Sequence, residues 1–494
     1  MMQNADQPAA PTQEELDQSL VHGVAWVGAA KWSTQALSWL ATIMVARLLS
    51  PDDYGLVSMA TVFLGLITMI SEFGLGSAVV VLRDLSGAQI AQLNGLSVMF
   101  GIVGFVFSCA MAIPLGHFFG TPKLPAVLAI MSFSFIISSF QSVPAALLQK
   151  DLQFKKLSLI DASRGVVQAL GMIVLALLGA GYWTLVCGAL LGAVISTLQI
   201  ITARPQRLAW PRLQALRQAL GYSWRVLAGR IAWYGYSNAD FVVAGRVLGQ
   251  APLGDYTLAW NLAYTPVEKV TSLVGAVTPA HYAAVQTDHG ALRRYLLRPV
   301  EGIALVAFPL LVGLALVARD AVMVLLGQKW EGAIGALTLL CLYACVRAVM
   351  PLVAQVLLVV GESNFVMWNS IASLMLLPLA FLAGSRWGPA GIAAAWVMAY
   401  PLNAVPLYIR LKRRIALDNR ECFAAVWPAL SGVIAMTAVV AAVKMLLAGP
   451  FQVTAAWRLV IESATGAVAY ASMLLLFHRP RVSAFRRAML MLRG

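Results

Sequence analysis

From about residue 21 to residue 477 the chain alternates long apolar runs with short polar breaks. The stretch LGMIVLALLGAGYWTLVCGALLGAVIS, Leu170 to Ser196, has no strand-like alternation of apolar and polar positions. Apolar runs of about 20 residues match the length of a membrane-spanning helix. A membrane barrel would need alternating strands of about ten residues, and only helices and closed barrels cross a bilayer. The pattern predicts an all-α polytopic membrane protein with about fourteen spans. They lie near 21–47, 54–82, 92–118, 125–149, 157–179, 182–202, 221–248, 256–285, 299–318, 332–360, 364–384, 388–409, 422–447 and 457–477. The flank of the ninth, RDAVMVLLGQKWEG, reads as a half-buried hairpin.

Composition agrees. Of 494 residues, 60% are hydrophobic and 11% charged, against roughly 25% charged in a soluble domain. The net charge of +14 would suit nucleic acid if it were clustered, but its placement follows topology. With the N-terminus inside, twenty-one of the 35 Lys and Arg fall in inner connections and eight in outer ones. That is the positive-inside bias. The expected arrangement is a multi-pass membrane protein with both termini inside and no nucleic-acid partner. Residues 1–20 are polar and acidic and lack the basic start of a secretory signal, so they read as a flexible cytoplasmic leader.

The chain also repeats itself. VARLLSPDDYGLVSMA, Val45 to Ala60, resembles VAGRVLGQAPLGDYTLAW, Val243 to Trp260. AALLQKDLQF from Ala145 resembles QVLLVVGESNF from Gln355, and GAGYWTLVCGAL from Gly179 resembles RWGPAGIAAAWV from Arg386. Spans 1–6 and 7–12 therefore read as two copies of a six-helix unit. An even number of helices gives a parallel repeat, the arrangement of a two-lobed transporter. The expected organisation is the leader 1–20, an N-lobe 21–203, a basic linker 204–220 and a C-lobe 221–410. Two further spans follow over 411–478, then a basic tail 479–494.

Ionisable residues inside spans are costly and mark function by default. Aligning Arg47 with Arg246 puts Lys31 on Arg230, each 16 residues earlier, and Gln35 shares a helix face with Lys31. The deep cations Lys31, Arg164, Arg230, Lys269 and Arg347 outnumber the acids Glu72, Asp240 and Glu268. The cations and Gln35 are cavity candidates for an anionic cargo, and the three acids are coupling or ion-pair candidates. Lys31 with Glu72 could form a structural ion pair instead, and Asp161 and Arg164 are placed to pair on one helix. The five cysteines and five histidines lie singly or in apolar runs, with no metal-ligand spacing and no catalytic arrangement. No metal, cofactor or catalytic residue is expected.

The stretches VARLLSPDDYGLVSMATVF, SEFGLGSAVV, VPAALLQKDLQFKKLSLID, SNADFVVAGRVLGQAPLGDYTLAW and LGQKWEGAIGALTLL, in this order over roughly 20–410, resemble the polysaccharide transporter family. These are the Wzx-type flippases of the multidrug/oligosaccharidyl-lipid/polysaccharide (MOP) exporter superfamily. The resemblance implies a V-shaped bundle of two six-helix lobes plus two C-terminal helices. It implies export, by alternating access through a cationic cavity, of an undecaprenyl-diphosphate-linked oligosaccharide for exopolysaccharide, capsule or O-antigen. The partners it implies are that lipid-linked sugar, membrane lipid, and a polysaccharide polymerase with glycosyltransferases. The alternatives are a MATE-like cation or drug antiporter, which would need a carboxylate-dominated cavity, and a membrane polysaccharide polymerase or ligase, which would need a large outer loop.

Overall fold

The computed structural model describes residues 37–72, 79, 85–151, 153–211, 231–447, 453–479 and 481. These residues form helices and short connections, with no strand among them. In chain order come α1 (Leu37–Leu48), α2 (Pro51–Glu72), α3 (Gly87–Phe119), α4 (Leu124–Lys150), α5 (Phe154–Leu177) and α6 (Trp183–Ala203). The second half opens with α7 (231–243), whose last turn widens into a π-helix at Ala244–Leu248. Then follow α8 (Gln250–Ala284), α9 (His289–Leu316), the short α10 (Ala318–Leu325), α11 (Ala333–Val359), α12 (Ser363–Gly384) and α13 (Gly388–Ile415). Two more helices, α14 (Asn419–Leu447) and α15 (Ala455–Phe477), complete the chain. Described helices fall on each of the fourteen expected spans, and α10 is the half-buried hairpin expected after the ninth. Nine helical runs among the described residues, Ser363–Ile415 counted as one, are long and apolar enough in themselves to cross a membrane.

Two helices start earlier than the expected bounds. SPDD was expected to be a loop, yet α2 starts at Pro51. The Ser50 hydroxyl accepts from the Asp53 backbone N–H at 3.2 Å, and Asp53 accepts from the Ser50 backbone N–H at 2.9 Å. This is a reciprocal capping box, with proline at the first helical position and two acids on the positive end of the helix dipole. Likewise α8 starts at Gln250, not at 256. Gly249, at φ 90°, takes the reversal that a side chain would resist.

The two halves meet along α2 and α8. A Cβ on Gly55 would lie 1.9 Å from the Gln250 carbonyl oxygen, and one on Gly254 would lie 1.8 Å from the Pro51 carbonyl oxygen. Gly55 and Gly254, Pro51 and Gln250, and Ser58 and Thr257 are equivalent when Arg47 is aligned with Arg246. The Ser58 and Thr257 hydroxyls share a hydrogen bond of 2.7 Å. A contact between equivalent residues, with reciprocal glycine approaches on either side, is the signature of a local two-fold axis. Small residues let helix backbones approach this closely in a membrane protein.

Around this seam each half grips the other. Arg47 donates to the Leu325 and Val324 carbonyls at the C-terminal end of α10. Trp330 Nε1 donates to the Ala46 carbonyl at 2.8 Å, and Lys329 Nζ to that of Arg47 at 2.7 Å. In return Arg246 lies over the Phe118 ring at 5.5 Å. All of these residues sit at the ends expected on the outer face.

The opposite ends hold most of the ion pairs among the described residues. Arg204 meets Asp151 at 3.1 Å, Arg481 meets Glu301 at 3.0 Å, and Arg410 meets Glu362 at 2.9 Å with Arg414 as a second partner. Each ion pair among the described residues joins helix ends expected on one face, which supports the alternation of the spans. The described start of the linker, 204–211, is tied to the first half: the Ala209 N–H donates to the Ala91 carbonyl at 3.1 Å. The last two helices pack on α9 and α10, with Tyr470 bonded to the Leu305 carbonyl at 2.8 Å and Lys444 3.5 Å from Glu462.

Two expectations follow. Gly254→Val forces a side chain into the Pro51 carbonyl, so the purified chain should lose about 1–3 kcal/mol, the cost of overpacking. Thermal unfolding in detergent measures this, and Gly87→Ala, where an added Cβ meets nothing within 4 Å, offers a control outside the seam. At the other face, burial opposes the charge on Glu362. The hydrogen bonds and charges of Arg410 and Arg414 outweigh it and hold the carboxyl below the usual glutamate range. The stabilisation should be complete above pH about 4.3, the unfolded value, and fade as pH falls through the lowered folded value. A Glu362→Gln chain should lack that component of the acid-induced loss in a melting series from neutral to acid pH.

Candidate functional site

Within the first half, α2 to α6 enclose a cavity of about 670 Å³. Its most polar wall is one face of α4, where Ser134, Ser138, Gln141, Ser142 and Gln149 recur at helical spacing. Ser134, Ser138 and Ser142 hold no side-chain hydrogen bond to another described residue. Ser139 and Ser196 also line the space, but they are spent on protein partners: the Ile136 carbonyl at 2.7 Å and Gln141 at 3.1 Å. Opposite, α5 contributes Asp161 and Arg164, and α6 contributes Ala189 and Ala193. Asp161 and Arg164 are both exposed on the wall and form no ion pair with each other, so the pairing expected from their spacing is not made. One acid and one base leave the described wall charge-balanced.

A second cavity, of about 320 Å³, lies beside the seam and is lined from both halves, by Ser58, Thr61, Asn238, Thr257, Trp260 and Asn261 among others. Tyr234 closes one side by donating to the Val62 carbonyl at 2.7 Å. This cavity carries hydroxyls and amides and no charge.

The expected site residues scatter. Lys31, Gln35 and Arg230 lie outside the described residues, as do the side chains of Glu72 and Lys269. Arg164 lines the larger cavity. Glu268 is an exposed residue of α8. Arg347, expected at a cavity wall, lines neither described cavity. Its guanidinium lies 4.7 Å from the Tyr264 ring and 5.2 Å from that of Trp260, and donates to the Tyr343 hydroxyl at 2.9 Å. Aromatic faces thus take the place of a counter-ion. Asp240, expected as a coupling or ion-pair group, is fully buried and makes no ion pair among the described residues. It accepts from the Tyr256 hydroxyl at 2.6 Å and from Trp396 Nε1 at 2.8 Å.

The hydroxyl wall escaped the charge-based search. Its signal was visible in SFSFIISSFQSVPAALLQ, where serines four apart share one face of a span. Serine is close to neutral in hydropathy, so such a face does not interrupt an apolar run. Among the described residues the five cysteines are free and no group of His, Cys, Asp and Glu could hold a metal ion.

Comparison with known proteins gives the family. A family model described as "Polysaccharide biosynthesis protein" matches residues 44–335. The lipopolysaccharide biosynthesis protein WzxC of Escherichia coli (strain K12) is 24% identical over 420 residues, 81% of this chain and 84% of that protein. The succinoglycan biosynthesis transport protein ExoT of Rhizobium meliloti (strain 1021) is 26% identical over 473 residues, 93% of this chain and 94% of its own. Among solved structures, the lipid II flippase MurJ in an inward closed conformation superposes with TM-score 0.73 at 12% identity, covering 93% of this chain and 100% of MurJ. An inward-facing MATE-family multidrug resistance transporter of the MOP superfamily gives 0.62 at 16% identity, covering 77% and 94%. The chain belongs to the polysaccharide biosynthesis protein family, and its fold is that of the MOP-superfamily transporters.

Proposed function

We propose that this chain is a flippase that carries a polyprenyl-diphosphate-linked oligosaccharide from the inner to the outer leaflet of a bacterial inner membrane. The observation that carries the reading is the two-fold seam. Two repeat halves held together at one set of helix ends, with polar cavities within and beside them, can part and re-close without unfolding either half. In this reading the seam is the closed outer gate. The lobes are 21–203 and 221–410, and both termini are cytoplasmic. Polymerase and glycosyltransferase partners belong to the same reading, and the protein makes no covalent chemistry.

The cargo has an anionic diphosphate, an uncharged or acidic sugar part and a polyprenyl tail. The tail stays in the bilayer as the halves part. Lys31 and Arg230, equivalent positions of the two repeats in sequence, are proposed to hold the diphosphate, and Gln35, on the helix face of Lys31 by sequence spacing, is a further candidate. Membrane transport of this kind leaves no bond broken, so the chain's task is to offset the loss of hydration as the headgroup passes the midplane.

Three outcomes test the reading. Cysteine labelling in whole cells should find 410–420 shielded and 120–123 accessible from outside; the reverse pattern refutes the topology. Neutral Gln at Lys31 or Arg230 should cut polymer export at least about tenfold while protein level holds, as loss of a charge-assisted contact predicts. If Lys31→Gln instead depletes folded protein, and adding Glu72→Gln restores level and export together, Lys31 is half of a structural ion pair, since a stranded buried charge is what destabilises.

A further inference from the structure

The halves are built on one plan but are not filled alike. Gly120 and Gly327, both at positive φ, precede α4 and α11; Pro144 and Pro351 lie inside those helices; Gly181, just before α6, and Gly388, the first residue of α13, are again at positive φ. The three pairs have the same separation and fix one register. In that register Ala189 and Ala193 of the first-half cavity correspond to Trp396 and Tyr400. Ser134, Ser138 and Ser142 correspond to Cys341, Cys345 and Val349. In the second half these bulky residues close the space: Trp396 stacks on Tyr343 at 4.7 Å, and Tyr400 meets Tyr343 edge-on at 5.0 Å. Trp396, Tyr343 and Tyr400 are all buried. Where the second half has an aromatic plug, the first has two alanines and a room of about 670 Å³.

We propose that this first-half cavity is the sugar subsite: it holds hydroxyl-rich, uncharged glycosyl rings of the cargo, and the plugged second half does not. The inference rests on the flippase reading and assigns the sugar contact to one half.

The chemistry of the wall selects the ligand. Serine hydroxyls and glutamine amides both donate and accept, as sugar hydroxyls do, so a ring can exchange its water contacts for wall contacts one for one. Each such neutral bond has a small net worth. Several together orient a headgroup, yet each is readily returned to water, which suits a subsite that must release its cargo. A wall meant for an anion would carry an excess of cations, whereas here Asp161 balances Arg164. A cavity for an apolar drug would resemble the second half, where aromatic faces are abundant. Ser134, Ser138 and Ser142 are wall hydroxyls with no side-chain partner among the described residues, and thus donors and acceptors free for a ring.

The test uses the full chain in lipid nanodiscs and two probes. One is bare undecaprenyl diphosphate; the other is the undecaprenyl-diphosphate-linked oligosaccharide extracted from producing cells blocked in export. The wild-type chain should bind the sugar-bearing lipid more tightly than the bare one. Ser138→Ala with Ser142→Ala should reduce that preference by about tenfold, at roughly threefold or more per hydrogen bond, and leave bare-lipid binding within about twofold. Ala193→Tyr, which copies the second-half plug, should do the same by filling the room. If Ala193→Tyr fails to fold, the serine pair decides. If the variants keep the wild-type preference, or lose both lipids equally, the sugar subsite is wrong while the flippase reading stands. If the wild-type chain binds neither lipid, both fall.

Discussion

Everything else in this molecule is arranged around a backbone contact. Gly55 lies on the Gln250 carbonyl and Gly254 on that of Pro51, so α2 and α8 touch with no side chain between them. Lipid tails give no hydrophobic reason for two helices to associate. The contact must come from close packing and polar pairing, and the Ser58–Thr257 bond at 2.7 Å supplies the polar part. Such a seam is short-ranged. A gap of about 0.5–1 Å already forfeits roughly a quarter to a half of the dispersion attraction, so the seam holds tightly only when fully closed.

Other features divide the labour. The grip of Arg47 on the end of α10, and of Trp330 on Ala46, reinforces the seam at the same ends. The ion pairs of Glu362, Asp151 and Glu301 brace the opposite ends. In the second half Arg347 and Asp240 are held by aromatic rings and by tyrosine and tryptophan donors, and Trp396, Tyr343 and Tyr400 fill the region equivalent to the first-half cavity. In the proposed flippase, that asymmetry gives the polar headgroup a room in one half while its lipid tail remains in the bilayer.

Much of this was legible in the sequence, for identifiable reasons. Apolar runs report helices directly, because the bilayer admits little else, and Arg47 and Arg246 exposed the repeat. The helix starts at Pro51 and Gln250 were misplaced because the residues at them, the capping pair Ser50 and Asp53 in one case and Gly249 in the other, resemble loop residues. Arg347 and Asp240 were read as cavity or coupling groups because a charge inside a span is visible in the chain, while the rings around them come from α8, α11 and α13. The seam was invisible for a different reason. Nothing in a glycine discloses whether a neighbouring backbone lies 1.8 Å from its absent Cβ. The serine face went unnoticed because hydroxyls do not break an apolar run.

The central claim is that the α2–α8 seam opens and closes during export. Cysteines at Ser58 and Thr257, whose hydroxyls lie 2.7 Å apart, can be joined by oxidation in intact cells. The account predicts that cross-linking stops polymer export and that reductant restores it, with unchanged protein level. Full export from a population shown to be cross-linked at these two positions would contradict it.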